Sequence, residues 1–134
     1  METVKTTYLG QLRTEAIHVR SGNKIITDAP IDNQGKGEAF SPTDLLVTSL
    51  CSCMFTIIGI AAQTGNFNID GATAKTTKVM ASDPRRVGEA IIEFDFSKGT
   101  YSDKQKTIIQ RAVETCPVAK SIHPELKLSI TYKF

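Results

Sequence analysis

The sequence contains no tryptophan, only two histidines and three cysteines among its 134 residues. Two His and no Cys-x-x-Cys pair argue against a zinc site, which needs four closely spaced N or S ligands. No run of basic residues is present either. The formal net charge is +2, and the two short basic spots, Arg85-Arg86 and Lys104/Lys106, each have an aspartate close by. Nucleic acid is therefore not the expected partner, because backbone binding needs a basic face. The opening segment METVKTTYLG lacks the apolar stretch and small-residue cleavage site of a secretory signal. A cytoplasmic, reducing location is expected from this, and there three cysteines are not structural disulfides. They are packing residues, metal ligands or reactive thiols, and the paucity of histidine weighs against the second.

Linkers, repeats and low-complexity segments are also missing, so residues 1–134 read as one domain. Hydrophobic residues make up 40% and charged residues 22%, an ordinary soluble composition. That length can bury one core without metal or disulfide support. Charge is absent altogether from Leu45 to Ile69, a span long enough for a membrane helix. Thr48, Ser49, Ser52, Thr56, Gln63 and Thr64 interrupt it, and neither Trp nor Tyr flanks it. A helix buried on most sides inside a soluble domain fits better.

The chain opens with strands. Residues 2–8 and 11–20 are rich in Thr, Val and Ile and are joined by Leu9-Gly10. Ser21-Gly22-Asn23 has turn chemistry and pairs residues 11–20 with 24–27 as a hairpin. Residues 28–39 hold Pro30, Gly35 and Gly37 and read as a loop. Ser41-Pro42-Thr43-Asp44 is a helix start: a Ser N-cap, Pro at the first helical position and an acid at the capping-box position. This helix should run to about Gln63 and end at Gly65. Strands follow over 68–80 and 87–96, divided by Ser82-Asp83-Pro84. A second capping box, Ser102 to Gln105, opens a helix that Pro117 breaks near Cys116. A short helical turn is expected over 117–122, and Leu126, Leu128, Ile130, Tyr132 and Phe134 alternate as a last strand. The result is an α+β domain with an antiparallel sheet wrapped around a long apolar helix. A helix so apolar in so small a chain needs cover on two sides, part of it from a second subunit.

An α-helix turns about 100° per residue, so Cys51 and Cys53 point roughly 200° apart. They cannot bind one metal or bond to each other without strain. Cys116, just before Pro117, would cap a short turn, where free N–H groups favour a thiolate. Spacing alone leaves packing and reactivity both open for all three.

Residues 40–56, FSPTDLLVTSLCSCMFT, resemble a segment of the OsmC/Ohr family in which a proline opens the central helix and a peroxidatic cysteine follows at the spacing of Pro42 to Cys53. Residues 116–121, CPVAKS, resemble the second family motif, where the resolving cysteine precedes Pro-Val. The loop before Ser41, the turn at 83–86 and the alternating last strand are similar too, so the resemblance covers the whole chain. It implies the OsmC-like fold, an intertwined homodimer, and reduction of organic hydroperoxides to alcohols. Cys53 would attack, a sulfenate would form, Cys116 would close a disulfide, and a lipoyl-type or similar dithiol would restore both thiols. No cofactor or metal is implied.

A free cysteine is only a few per cent thiolate at neutral pH, and three turns into a helix the dipole contributes little. The attacking thiol thus needs a nearby cation. The family uses an Arg from the N-terminal strands, which matches Arg13, with Arg20 as competitor. In the Ohr pattern an acid just after the helix proline holds that Arg. Here the position is Thr43, and Asp44 is the substitute expected to hold Arg13. Met54, Phe55, Ile57 and Ile58 are expected to wall the site and favour an apolar substrate. The departure at Thr43 keeps an alternative in play, a non-catalytic OsmC-like redox sensor or binder of a small apolar ligand. A purely structural module is the third possibility.

Overall fold

The computed structural model describes all residues, Met1–Phe134. The chain divides into two compact units, Met1–Leu45 and Leu46–Phe134.

The first unit is a three-stranded antiparallel sheet in the order β1 (Val4–Gly10), β2 (Arg13–His18), β3 (Lys24–Asp28). The β2–β3 hairpin closes where Ser21-Gly22-Asn23 indicated, with His18 and Asn23 bonded across it and Gly22 at φ +78°. The β1–β2 turn lies two residues later than expected, at Gln11-Leu12. Both residues have positive φ, at 53° and 64°, as a type I′ turn requires. Their side chains do not advertise that turn as Asn-Gly would, which is why residues 11–12 read as strand. Every side chain from Val4 to Leu9 is exposed, and the buried residues of this unit are Thr27, Asp28 and Ser41. It has no buried apolar side chain.

Helix α1, Pro42–Thr64, starts in the first unit and continues through the second. Its start is the capping box read from the sequence. Asp44 N–H donates to Ser41 Oγ at 3.0 Å, and Ser41 N–H donates to Asp44 Oδ2 at 2.9 Å. By length and composition α1 could cross a membrane. Its buried residues nevertheless form one stripe, Val47, Leu50, Met54, Ile58 and Ala62, at the 3–4-residue spacing of a core-facing helix. Each large apolar side chain buried there contributes about 1.5–3 kcal/mol.

The stripe packs in the second unit against β5 (Arg86–Asp95), whose Val87, Ala90, Ile92 and Phe94 are buried together with the following Phe96. β5 is the middle strand, between β4 (Thr73–Ala81) and β6 (Lys127–Lys133). β4 pairs with it antiparallel across the tight turn at 82–85, but β6 pairs with it parallel. The single antiparallel sheet of the sequence reading is thus two sheets, the second one mixed. The reason is the connection. Helix α2 (Asp103–Ala112) and the segment after it lie between β5 and β6, and a crossover containing a helix returns the chain in the same direction. The Ser102–Gln105 capping box is present as read. Phe94, Phe96, Tyr132 and Phe134 stack across β5 and β6, with centroids 5.5–6.3 Å apart.

Candidate active site

Two of the predicted residues meet in the second unit. Cys53 lies on α1, half-buried. Cys116 is fully buried and follows the 3-10 turn Val113–Thr115 that ends α2. Their thiols are hydrogen-bonding neighbours, and both are free. Pro117 has no N–H to continue the helix, so the backbone turns around Cys116. Its N–H donates to Val113 O at 3.2 Å, its carbonyl accepts from Lys120 N–H at 3.2 Å, and its Sγ accepts from Ala119 N–H at 3.4 Å. Residues 117–121 form turns here, with no helix.

Those N–H groups do favour a Cys116 thiolate, as expected from the Pro117 turn. Burial outweighs them, the neighbouring Cys53 adds to it, and the Cys116 thiol is pushed up from its ordinary value. Cys116 therefore stays protonated at neutral pH.

Cys51 points away from this pair. It is bonded to the Thr76 side chain of β4, and burial raises its thiol as well. Met54 and Ile58 are fully buried, and Phe55 meets Phe94 and Phe96 edge-on at 5.0 and 6.4 Å. Of the four residues expected to wall the site, Ile58 is thus core and Phe55 packs against it. An open groove of about 550 Å³ flanks the Cys116 turn, lined by Met54, Val113, Ala119, Leu128, Ile130 and Tyr132 and by the polar Gln110, Glu114 and Lys120.

Arg13 lies in the first unit, and its partners correct the expectation for Asp44. Arg13 Nε–H donates to Asp28 Oδ1 at 2.7 Å and Nη2–H to Asp28 Oδ2 at 2.9 Å. A longer bond of 3.3 Å runs from Nη2 to Glu38. Asp44 caps α1, while Asp28 and Glu38 supply carboxylates that hold Arg13. The Arg13 charge and hydrogen bonds keep the Asp28 carboxyl below its usual range. Sequence reasoning placed Asp28 in the loop and missed it. Counting outward from Ser21-Gly22-Asn23 sets Arg13 opposite Ile31, whereas the observed ladder pairs Ile17 with Lys24 and so brings Arg13 opposite Asp28.

Arg20 is exposed near that turn, and Arg86 folds onto the carbonyls of Ser82 and Pro84. His123 is exposed and accepts the Glu125 N–H through Nδ1. No three His, Cys, Asp or Glu side chains gather to hold a metal.

Two thiols in contact on a central helix and a Pro-broken turn define a class of dithiol proteins, and sequence and fold comparison assigns the chain within it. Residues 35–131 match the family described as OsmC-like protein, and the chain belongs to that family. A crystal structure of a protein from Psychrobacter arcticus, provisionally described as an osmotic stress induced and detoxification response protein, is 58% identical over 98% of this chain and 96% of its own, with a TM-score of 0.94. The fold is shared with an organic hydroperoxide resistance protein, OsmC, from Legionella pneumophila, at 14% identity over 100% and 98% of the two chains and a TM-score of 0.76. It is also shared with an organic hydroperoxide resistance protein from Elizabethkingia anophelis, at 12% identity over 99% and 96% and a TM-score of 0.72. No curated protein matches the sequence.

Proposed function

We propose that this protein is a cytosolic thiol peroxidase that reduces organic hydroperoxides. The observation that carries the reading is the contact between the half-buried Cys53 thiol and the buried, protonated Cys116 thiol. The Cys53 thiolate attacks the terminal peroxide oxygen. An S–O bond forms, the O–O bond breaks, and the alkoxide takes up a proton and leaves as an alcohol. Sulfur has been oxidised by two electrons. The Cys116 thiol then displaces water from the Cys53 sulfenic acid to form a disulfide, and an external dithiol reduces it, becoming a disulfide itself. Arg13, immobilised by two carboxylates, is the cation assigned to stabilise the attacking thiolate. The largely apolar groove beside the Cys116 turn, edged by Gln110, Glu114 and Lys120, favours a substrate with a hydrocarbon arm.

The working form proposed is a homodimer. A first unit of 45 residues that buries no apolar side chain does not stand on its own. Its sheet shows Val4, Tyr8, Leu9, Ile25 and Ile26 to solvent, an apolar surface that a second copy would cover.

The test is consumption of cumene hydroperoxide by purified protein with dihydrolipoamide or dithiothreitol, beside Cys53→Ser and Cys116→Ser, with the mass in solution measured by light scattering. The reading requires multiple turnovers in the wild type, none in Cys53→Ser, impaired recycling in Cys116→Ser and a dimer mass. A single oxidation without turnover would instead favour a redox sensor.

A further inference from the structure

Cys53 and Cys116 differ in how they can be reached. Cys116 is 0% exposed and belongs to one buried cluster with Ile109, Ala112 and Val113. A partner subunit could add cover to it but not remove any. Cys53 only packs against that cluster and keeps part of its surface. The groove beside the turn is lined by Val113 and Ala119 and stops short of the Cys116 side chain. Thiol–disulfide exchange is an in-line displacement, in which the entering, attacked and leaving sulfurs share one axis. Access therefore selects which sulfur is attacked. A reductant attacking Cys116 would have to come from the side away from Cys53, through close-packed side chains. The same turn is furnished to receive a departing sulfur. The N–H groups of Val118 and Ala119 both donate to Cys116 Sγ, the second at 3.4 Å.

We infer that the external dithiol attacks the Cys53 sulfur of the Cys53–Cys116 disulfide and that Cys116 is the leaving group; this rests on the reading of the two thiols given above. The reductant thiolate forms an S–S bond to Cys53 as the Cys53–Cys116 bond breaks, and the electron pair leaves on Cys116. The Val118 and Ala119 N–H groups hold that charge until Cys116 takes up a proton. The second thiolate of the reductant then attacks the reductant's own sulfur in the mixed disulfide. That step closes the reductant's disulfide and releases Cys53 as a thiolate. Two electrons and two protons have passed from reductant to protein. Burial raises the Cys116 thiol and on that count makes it the poorer leaving group. Access outweighs this, because a sulfur with no free approach reacts only when the core opens. Once expelled, Cys116 is soon protonated and slow to turn back on the mixed disulfide. One opening, at Cys53, thus admits peroxide in one half of the cycle and reductant in the other.

The experiment starts from full-length protein oxidised with diamide, which requires no peroxidase activity. Mercaptoethanol, a thiol without a second arm, is added in equimolar amount and the reaction is quenched early in acid. Free thiols are capped with N-ethylmaleimide, and the peptides are read by mass spectrometry. The mixed disulfide should sit on Cys53 and the cap on Cys116, in about tenfold or greater excess over the reverse pattern. A mixed disulfide mainly on Cys116, or equal amounts on the two, would overturn the inference. So would a diamide product that lacks the Cys53–Cys116 bond. A second reading uses single-thiol variants and dithiodipyridine. Cys53 in Cys116→Ser should label about tenfold or more faster than Cys116 in Cys53→Ser, and equal rates would again overturn the inference. Hydroperoxide consumption is measured beside these, so that loss of the peroxidase reading and loss of this inference show separately.

Discussion

The thiol of Cys116 lies against the thiol of Cys53, while Cys51, two residues away on the same helix, is bonded to Thr76 on β4. One equivalent of hydroperoxide should therefore yield an intramolecular Cys53–Cys116 disulfide. Peptide mapping should find Cys51 still reduced. In Cys116→Ser the oxidised Cys53 has no thiol to condense with. Dimedone should then trap a sulfenic acid at Cys53, and excess peroxide should carry it to the sulfinic acid. A Cys51–Cys53 bond in the wild type would contradict the geometry.

Stability should fall at both ends of the pH scale. Asp28 has a lowered folded-state pKa, first through the Arg13 hydrogen bonds. Its stabilising contribution is present above the unfolded carboxylate value of about 3.9 and is lost as pH falls from there through the folded value. Cys116 and Cys51 have raised folded-state values, chiefly through burial. Their contribution is complete below the unfolded thiol value of about 8.5 and is lost as pH rises through the folded values. Thermal melting from pH 2.5 to 10.5 should show both declines. Asp28→Asn should flatten the acid limb and Cys116→Ser the alkaline one.

Asp44 caps α1, so Asp44→Ala should lower stability by about 1 kcal/mol. Urea unfolding measures this.

Ile58 is fully buried in the α1 stripe. Ile58→Ala should cost about 2–5 kcal/mol by lost transfer energy and a residual cavity. The denaturation midpoint should drop with little change in slope.

Gly35 approaches the Ala29 backbone so closely that a Cβ would overlap its carbonyl. Gly35→Ala should therefore displace the loop, at a cost of about 1–3 kcal/mol. Because Glu38 N–H is bonded to Asp28 in that loop, amide exchange at Glu38 should accelerate in the variant.

Local chemistry was legible in the sequence. The Ser41–Asp44 and Ser102–Gln105 capping boxes, the Ser21-Gly22-Asn23 turn, the break at Pro117 and the alternation of β5 all depend on neighbours a few residues apart, and each lies where the residue types indicated. The two reactive-thiol candidates were visible through resemblance to a family, since helix spacing by itself left all three cysteines open. What the sequence could not decide was long-range pairing. The parallel seat of β6 depends on how the α2 crossover packs, and alternation reads the same in either strand direction. That Cys53 and Cys116 meet, while Cys51 turns to Thr76, was settled by the packing of α1 against β4, β5 and the Pro117 turn. The choice of Asp28 over Asp44 as the Arg13 partner was settled by hairpin register, because both acids are plausible by charge and only one stands across the ladder from Arg13. The sequence by itself determined which groups are available and where chain direction changes. Tertiary structure decided which of those groups touch, since burial and distance between residues far apart in the chain exist only once it has folded.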